Sequence, residues 1–350
     1  MKKIAVFGMV VAIALVSFVA CGKKAEGPGA GGAADLLNLV PKDVQGIVAV
    51  DFHRAINTGF VDKAIKQDKN YAKYQETIKE IGLDPQKDVQ ALVVAIAGQP
   101  GGPEKQEAAV LASMTYNKDL LLAKIKKEAG ADIKEETYEG VTLYSGLKTE
   151  PGKPPACAAF LDASTVVGGT EGLVRKVIDV KAKKAENVMK NDALMGIIKS
   201  ANKSALAWSA FAIPEEATKK MAQSNPMMAS LEGMKAVTVF FDIKDNTYLF
   251  EIKSFGGDAA KNKTLADMLT GFKALGAGAA AKNPDVGELL NRIEITSGAD
   301  FVKISAGLPE DVLERLTKSA AQKVEGMVKP QTEPPAEEPK EEAPAEEPEG

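Results

Sequence analysis

The sequence predicts an α+β fold, an antiparallel sheet or sheets with flanking helices. Three observations carry the expectation. Short runs rich in Val, Ile and Ala alternate with amphipathic stretches of helical period. Neighbouring strand-like runs come in pairs with turn signals between them, whereas a parallel sheet would place a helix after every strand. The order strand–helix–strand–strand–helix–strand–strand–helix can be read twice, with corresponding strands about 140 to 160 residues apart, which admits two tandem copies of one unit.

Element by element, residues 46–52 (GIVAVDF), 91–97 (ALVVAIA) and 108–116 (AAVLASMTY) read as strands. Between the first two, Tyr71, Tyr74, Ile78 and Ile81 stand at helical spacing. Asn117 is placed to cap a helix over 118–129. Strands follow at 141–145, 158–162 and 165–168, then a helix from Glu171 to about Lys184. The second round opens with the strand 205–213, and Pro214 stands where a first helical residue belongs. Strands 236–244 and 247–254 flank Asp245-Asn246, a hairpin turn signal. A helix over 258–275, strands 292–296 and 300–306 around Ser297-Gly298-Ala299, and a helix opened by Pro309 complete it.

The chain has 350 residues, 45% hydrophobic and 26% charged, enough for one large core or two smaller ones. The reading divides it into a leader (1–20), a tether (21–33), two α+β halves (34–190 and 191–329) and a tail (330–350). The tail holds six Pro, eight Glu and one Lys, and nothing in it can be buried, so it is expected to stay disordered. Its charge of −7, offset by +2 from the leader and +1 from the tether, leaves the body 34–329 neutral within the overall −4. A neutral body has no net attraction for nucleic acid.

The leader combines Lys2 and Lys3 with an uncharged apolar run over 4–20, the form of a secretory signal peptide. The run ends in Phe18-Val19-Ala20-Cys21-Gly22, which resembles the lipobox of bacterial lipoproteins; Phe18 stands where Leu is usual. The resemblance implies removal of residues 1–20, lipid on Cys21 (a diacylglyceryl thioether with an acylated, palmitate-type amine), and anchoring in the cell envelope. Several acyl chains are what stable anchoring requires. Gly22 after the cysteine resembles an outer-membrane sorting signal, which implies a periplasmic or surface-facing outer-membrane protein. Leu39-Val40-Pro41-Lys42-Asp43 and a strand ending in Asp51 resemble the opening of predicted envelope lipoproteins of unknown function, with no catalytic residues to carry over.

Chemistry is sparse. One histidine, His53, excludes sites needing two imidazoles, and two cysteines exclude a four-thiolate metal centre. With Cys21 lipidated, Cys157 has no partner and reads as a buried thiol. Asp51 and His53 lie two apart, on one face if their strand continues, yet no nucleophile joins them by spacing. Ser200-Ala201-Asn202-Lys203 fits S-x-x-K without its companion motifs, and reads as a helix end. Gly276 to Ala281 matches G-x-G-x-x-A but follows a helix, so it lacks the context for a nucleotide and reads as a loop or packing segment. Asp242 and Asp245 bracket a turn and lack EF-hand spacing. No catalytic, cofactor or metal site is expected.

Met221, Met227, Met228 and Met234 cluster between the Pro214 helix and the next strand. Methionine fills irregular cores and also adapts to variable apolar ligands, so the cluster is either packing or an apolar-ligand surface. Three readings stand: a membrane-anchored, non-catalytic binding or scaffold module with an envelope protein as partner; a periplasmic carrier of a lipid or other apolar ligand; and, least supported, a hydrolase.

Overall fold

A computed structural model describes residues 31–59, 61, 65–66, 68, 70–98, 106–129, 133–147, 155–200, 203–224, 226–280 and 284–317. The leader, Cys21 and the tail lie outside them. The first half runs α1 (Gly31–Leu37), β1 (Gly46–Asp51), α2 (Phe52–Ile56), α3 (Tyr71–Glu80), α4 (Pro85–Asp88), β2 (Val89–Ala97), β3 (Glu107–Met114), α5 (Lys118–Ala129), β4 (Lys134–Tyr138), β5 (Val141–Leu147), β6 (Ala156–Phe160), β7 (Thr165–Thr170), α6 (Glu171–Lys181) and α7 (Asp192–Ser200). The second runs β8 (Ala207–Ala212), α8 (Glu215–Ser224), β9 (Met234–Lys244), β10 (Thr247–Gly256), α9 (Ala259–Ala280), α10 (Pro284–Arg292), β11 (Ile293–Ser297), β12 (Phe301–Pro309) and α11 (residues 310–317). Turns of 3-10 helix stand at Val188–Lys190 and Pro226–Leu231.

Among the described residues all twelve strands join one antiparallel sheet in the order β11-β12-β10-β9-β8-β1-β2-β3-β7-β6-β5-β4. The halves meet where β1 pairs with β8, Val48 opposite Ser209. Outward from that seam the order is β1-β2-β3-β7-β6 on one side and β8-β9-β10-β12-β11 on the other, the same path twice. The hairpin β4–β5, turned by Glu139 and Gly140 at positive φ, is extra to the first half. The expectation of three strands after α5 thus becomes four. Lys134-Glu135-Glu136 is too polar to announce β4 by alternation, and its cross-strand bonds to β5 hold it.

Period-2 alternation sorts side chains between two faces. On the front face Ile47, Ala49, Val93, Ala95, Leu111, Cys157 and Val167 pack against Leu36 of α1, Leu173, Val177 and Ile178 of α6, and Leu194 and Ile198 of α7. On the back face Val50, Leu92, Phe241, Tyr248 and Leu308 pack under Phe52, Ala55 and Ile56 of α2 and Val312 of α11. A smaller back-face cluster sets Leu265 and Ala266 of α9 on Val302.

Several local expectations change. The tether does not extend to residue 33, because α1 starts at Gly31 and buries Ala33 against the front face. Gly32 lies so close to β2 that a Cβ there would stand 3.1 Å from Ala91. Gly276 to Ala280 is helical, since α9 runs past residue 275 and its small residues let Leu290 of α10 approach. Pro309 closes β12, and α6 stops at Lys181 with Lys183 at positive φ. Asn117 caps α5 as expected, its side-chain oxygen accepting from the amides of Asp119 and Leu120. Asp245 and Asn246 both take positive φ, as a tight hairpin turn requires.

Candidate functional site: an uncovered apolar tract on the back of the sheet

The register of the sheet aligns residues far apart in sequence. On the back face, Val94, Val48, Ser209, Val239, Ile252, Ile304 and Ile295 are direct cross-strand partners in series, one row from β2 to β11. The row below, Leu92, Val50, Ala207 and Phe241, is buried under α2 and its neighbours. The row above contains Ile96, Gly46, Phe211, Val237 and Ser254.

The two upper rows are apolar but incompletely covered. Val94, Val48, Val239, Ile304, Ile96, Phe211 and Val237 are half-buried, and Ile252 is 45% exposed. Directly behind them the front face is sealed, with Ile47, Val93, Ala95 and Ala210 at 0%. Gly46 makes room for the Phe211 ring, which lies over it; a Cβ there would sit 2.2 Å from that ring.

α9 borders the tract at its β11 end. Its first turns pack on Val302 together with Met268 and Leu231. Phe272 and Leu275 continue the stripe of Met268 at helical spacing and stay 45% and 75% exposed. Two of the five exposed large hydrophobics of the described residues thus lie on this stripe and a third, Ile252, lies in the tract. Solvent-exposed apolar surface of this kind, contiguous across strands, marks binding surfaces more often than scattered single residues do.

Of the methionines singled out in the sequence, Met234 opens β9 and is half-buried. Met221 falls in α8 and Met227 and Met228 in the 3-10 turn Pro226–Leu231, whose Leu231 joins the cluster under α9; the side chains of these three lie outside the described residues. The sequence therefore pointed to a neighbouring segment, and missed the row itself. No local signal could have joined Val48 to Ile304, because only the register does so.

Asp51 and His53 do not share a strand face, because β1 ends at Asp51 and its Oδ1 caps α2 by accepting from the Arg54 amide at 3.0 Å. Asp51 Oδ2 and His53 Nδ1 are buried with no hydrogen-bond partner among the described residues, so no Asp–His pair forms. Ser200 ends α7, and its side chain lies outside the described residues. Cys157 is buried at 0% exposure, and desolvation, with a smaller contribution from Glu171, pushes its thiol up to about 12. It is a neutral core side chain at physiological pH.

Asp242 serves the fold: its Oδ1 accepts from Arg54 Nη2 at 2.8 Å and from the amides of Leu206 and Ile243. Among the described residues no three His, Cys, Asp or Glu side chains gather as a metal would need, and no helix is long and apolar enough to cross a membrane. A cleft of about 660 Å³ lies between Pro41–Asp43, Lys176, Ala185–Glu186 and Lys190–Asp192, where Lys42 pairs with Glu186 at 2.6 Å and Lys176 with Asp43.

No protein-family model matches the chain, and no curated protein does. Solved structures of TP0453 are similar in outline. Its crystal form III matches with a TM-score of 0.47 and 12% identity over 85% of this chain and 100% of that one. Crystal form I gives 0.44 and 10% over 81% and 96%, and crystal form IV gives 0.45 and 11% over 80% and 96%.

Proposed function

We propose that the chain is a non-catalytic binding module of the bacterial cell envelope, anchored through lipid on Cys21, that holds an apolar ligand on the back of its sheet. The observation that carries the reading is the half-buried apolar row Val94-Val48-Val239-Ile304 with exposed Ile252 on the back of the sheet, whose front face is sealed behind β1, β2 and β8. Leaving such surface open costs about 25 cal/mol for each Å² a ligand or neighbour could cover. The leader supports the anchor and the secretory route, and the neutral body argues against polyanions as partners. An outer-membrane position belongs to the same proposal and rests on Gly22.

The test is native mass spectrometry of the gently purified mature protein. An added mass that vanishes on denaturation and proves to be an apolar small molecule is the expected result. A clean apo mass, together with no uptake of added apolar probes, overturns the ligand reading. Intact mass of membrane-extracted protein checks the anchor separately: Cys21→Ser should abolish the acyl mass and release the protein from the membrane pellet.

A further inference from the structure

The sheet has two edges, and they are built differently. Among the described residues β4 and β11 end the strand order. β4 carries Lys134, Glu135 and Glu136, with Glu135 paired to Lys126 of α5 and Glu136 to Arg175 of α6. Charge of this kind guards an edge against pairing with another strand. β11, Ile293-Glu294-Ile295-Thr296-Ser297, has one charged residue. Ile293 and Ile295 point to the back of the sheet, where Ile295 packs under α9, and exposed Glu294 and Thr296 point to the front.

The ladder fixes which backbone groups of β11 are open. In the turn to β12 the Gly298 amide donates to the Phe301 carbonyl at 2.9 Å. Hydrogen-bonded pairs alternate along an antiparallel ladder, so Thr296 and Glu294 bond across to Lys303 and Ser305 of β12. Ile293, Ile295 and Ser297 therefore turn both N–H and C=O away from the sheet. Lys273 of α9 agrees with this direction, its Nζ donating to the Ile293 oxygen at 2.6 Å. Three donors and three acceptors in register along one line recognise an extended strand, and neither a lipid nor a helix.

We infer that β11 is the interaction surface for a second copy of this chain, whose own β11 pairs with it antiparallel about a two-fold axis at Ile295. In that register Ile295 faces Ile295 of the second copy and Ile293 faces its Ser297, so the outward groups of both strands are all used. Glu294 faces Thr296, and no like charges oppose one another; the same pairing at β4 would set Glu136 against Glu136. On the back, the partners Ile252, Ile304 and Ile295 continue into Ile295, Ile304 and Ile252 of the second copy, a run of β-branched cross-strand pairs. α9 rests on Val302 of β12 and Ile295 of β11, so its two copies stand about 10 Å apart over the joint, the ordinary spacing of packed helices. Thr270 and Ala277, one turn either side of Lys273, keep that flank slim. The axis is perpendicular to the sheet, so both copies hold α1 on the same side, and the anchors proposed above enter one membrane. A five-residue edge, about 17 Å long, covers less than the ~800 Å² a side of a stable interface. Association is therefore weak in solution and strengthened by anchoring in one membrane.

The test uses the mature chain from residue 21, with Cys21→Ser so that acyl chains do not drive association. Sedimentation velocity and light scattering follow its mass from about 1 μM to about 1 mM, the range in which small interfaces associate. The expected result is a passage from monomer to dimer with nothing larger. Ser297→Pro removes an outward N–H and leaves the bonds to β12 intact, because an edge strand tolerates proline where its N–H faces away from the sheet. It should weaken the dimer about tenfold or more. Glu294→Cys combined with Thr296→Cys sets thiols directly opposite across the joint, in a pair whose Cα atoms stand about 4.5 Å apart, within disulfide reach. Along one strand the same positions are about 6.8 Å apart with parallel side chains, which does not close a disulfide. Mild oxidation should give a covalent dimer from the double variant and not from either single one.

Monomer mass throughout the range, or no covalent dimer from the double variant, overturns the inference and leaves the apolar-ligand reading untouched. A mass that keeps growing with concentration means β11 joins β4 of the next copy in an open chain, and overturns the two-fold pairing. Single variants that crosslink as fast as the double one place the contact in another register and overturn it as well. So does a dimer that Ser297→Pro leaves unchanged; if that variant lowers the urea midpoint, the crosslinks alone decide.

Discussion

Asp242 holds the two halves of the sheet together at one corner, and its removal should be costly out of proportion to its size. Its Oδ1 takes Arg54 Nη2 from α2 at 2.8 Å, and the amides of Leu206 at 3.2 Å and Ile243 at 3.0 Å. Arg54 and Asp242 are only 22% and 18% exposed and lie 188 residues apart. Asp242→Ala removes one charge-assisted bond, worth about 1.5–3 kcal/mol, leaves the partly buried Arg54 guanidinium only its bond to the Ser204 carbonyl, and takes the acceptor from the Leu206 amide. Residual solvent around the pair discounts the cost of a fully buried ion pair, about 3–5 kcal/mol. The expected loss is about 2–3 kcal/mol. Asp242→Asn, which can keep an oxygen for the amides, should lose about 1 kcal/mol. Equilibrium urea unfolding measures both, and a cycle with Arg54→Met should give a coupling of about 1 kcal/mol or more. A loss below about 0.5 kcal/mol for Asp242→Ala, or no coupling to Arg54, would refute the account of this corner.

Further outcomes follow from other sites. Native Cys157 should resist thiol reagents at pH 8 and react only on unfolding. Its folded pKa, pushed up to about 12 from 9.0, lies above the unfolded value, so the stabilisation is full below pH 9 and fades as pH rises toward 12. The amount is on the order of 4 kcal/mol, and Cys157→Ala should flatten that alkaline limb of stability. Glu80 is held below the ordinary glutamate range by hydrogen bonds from Lys124 and Lys127, so its contribution is present above its unfolded pKa and is lost as pH falls through the folded one. Glu80→Gln should therefore make acid unfolding between pH 5 and 3, followed by circular dichroism, less steep, with the ~2-unit window set by the ordinary glutamate value. Gly169→Ala should destabilise by about 2 kcal/mol or more, because its Cβ would lie 2.1 Å from the Ala108 carbonyl oxygen of β3 at a φ of +159; an unchanged urea midpoint contradicts the close β3–β7 approach.

The class of the fold was legible for a physical reason. Short apolar runs such as Gly46-Ile47-Val48-Ala49-Val50 and helical spacing in Tyr71–Ile81 are local consequences of burial, and they survive in the chain as pattern. So do Asn117 as a cap and Asp245-Asn246 as a turn, since each needs only its own backbone. β4 was missed because its residues are polar on both faces and pairing with β5 alone makes it a strand. Asp51 and His53 were placed on one strand because a local reading cannot see the cap that ends β1 at Asp51.

By itself the sequence determined the strands, helices and turns of an α+β chain and the doubled order of its elements. It also carried the lipobox-like leader and the acidic tail, which are written in composition. Only the tertiary structure decided that both halves share one sheet, and that Val94, Val48, Val239, Ile252 and Ile304 stand in one row, half-buried except for exposed Ile252. Each of those residues reads alone as an ordinary core position. Cross-strand register sets which residues become neighbours, and the helices that cover the row below set where burial stops; both are contacts between segments far apart in the chain.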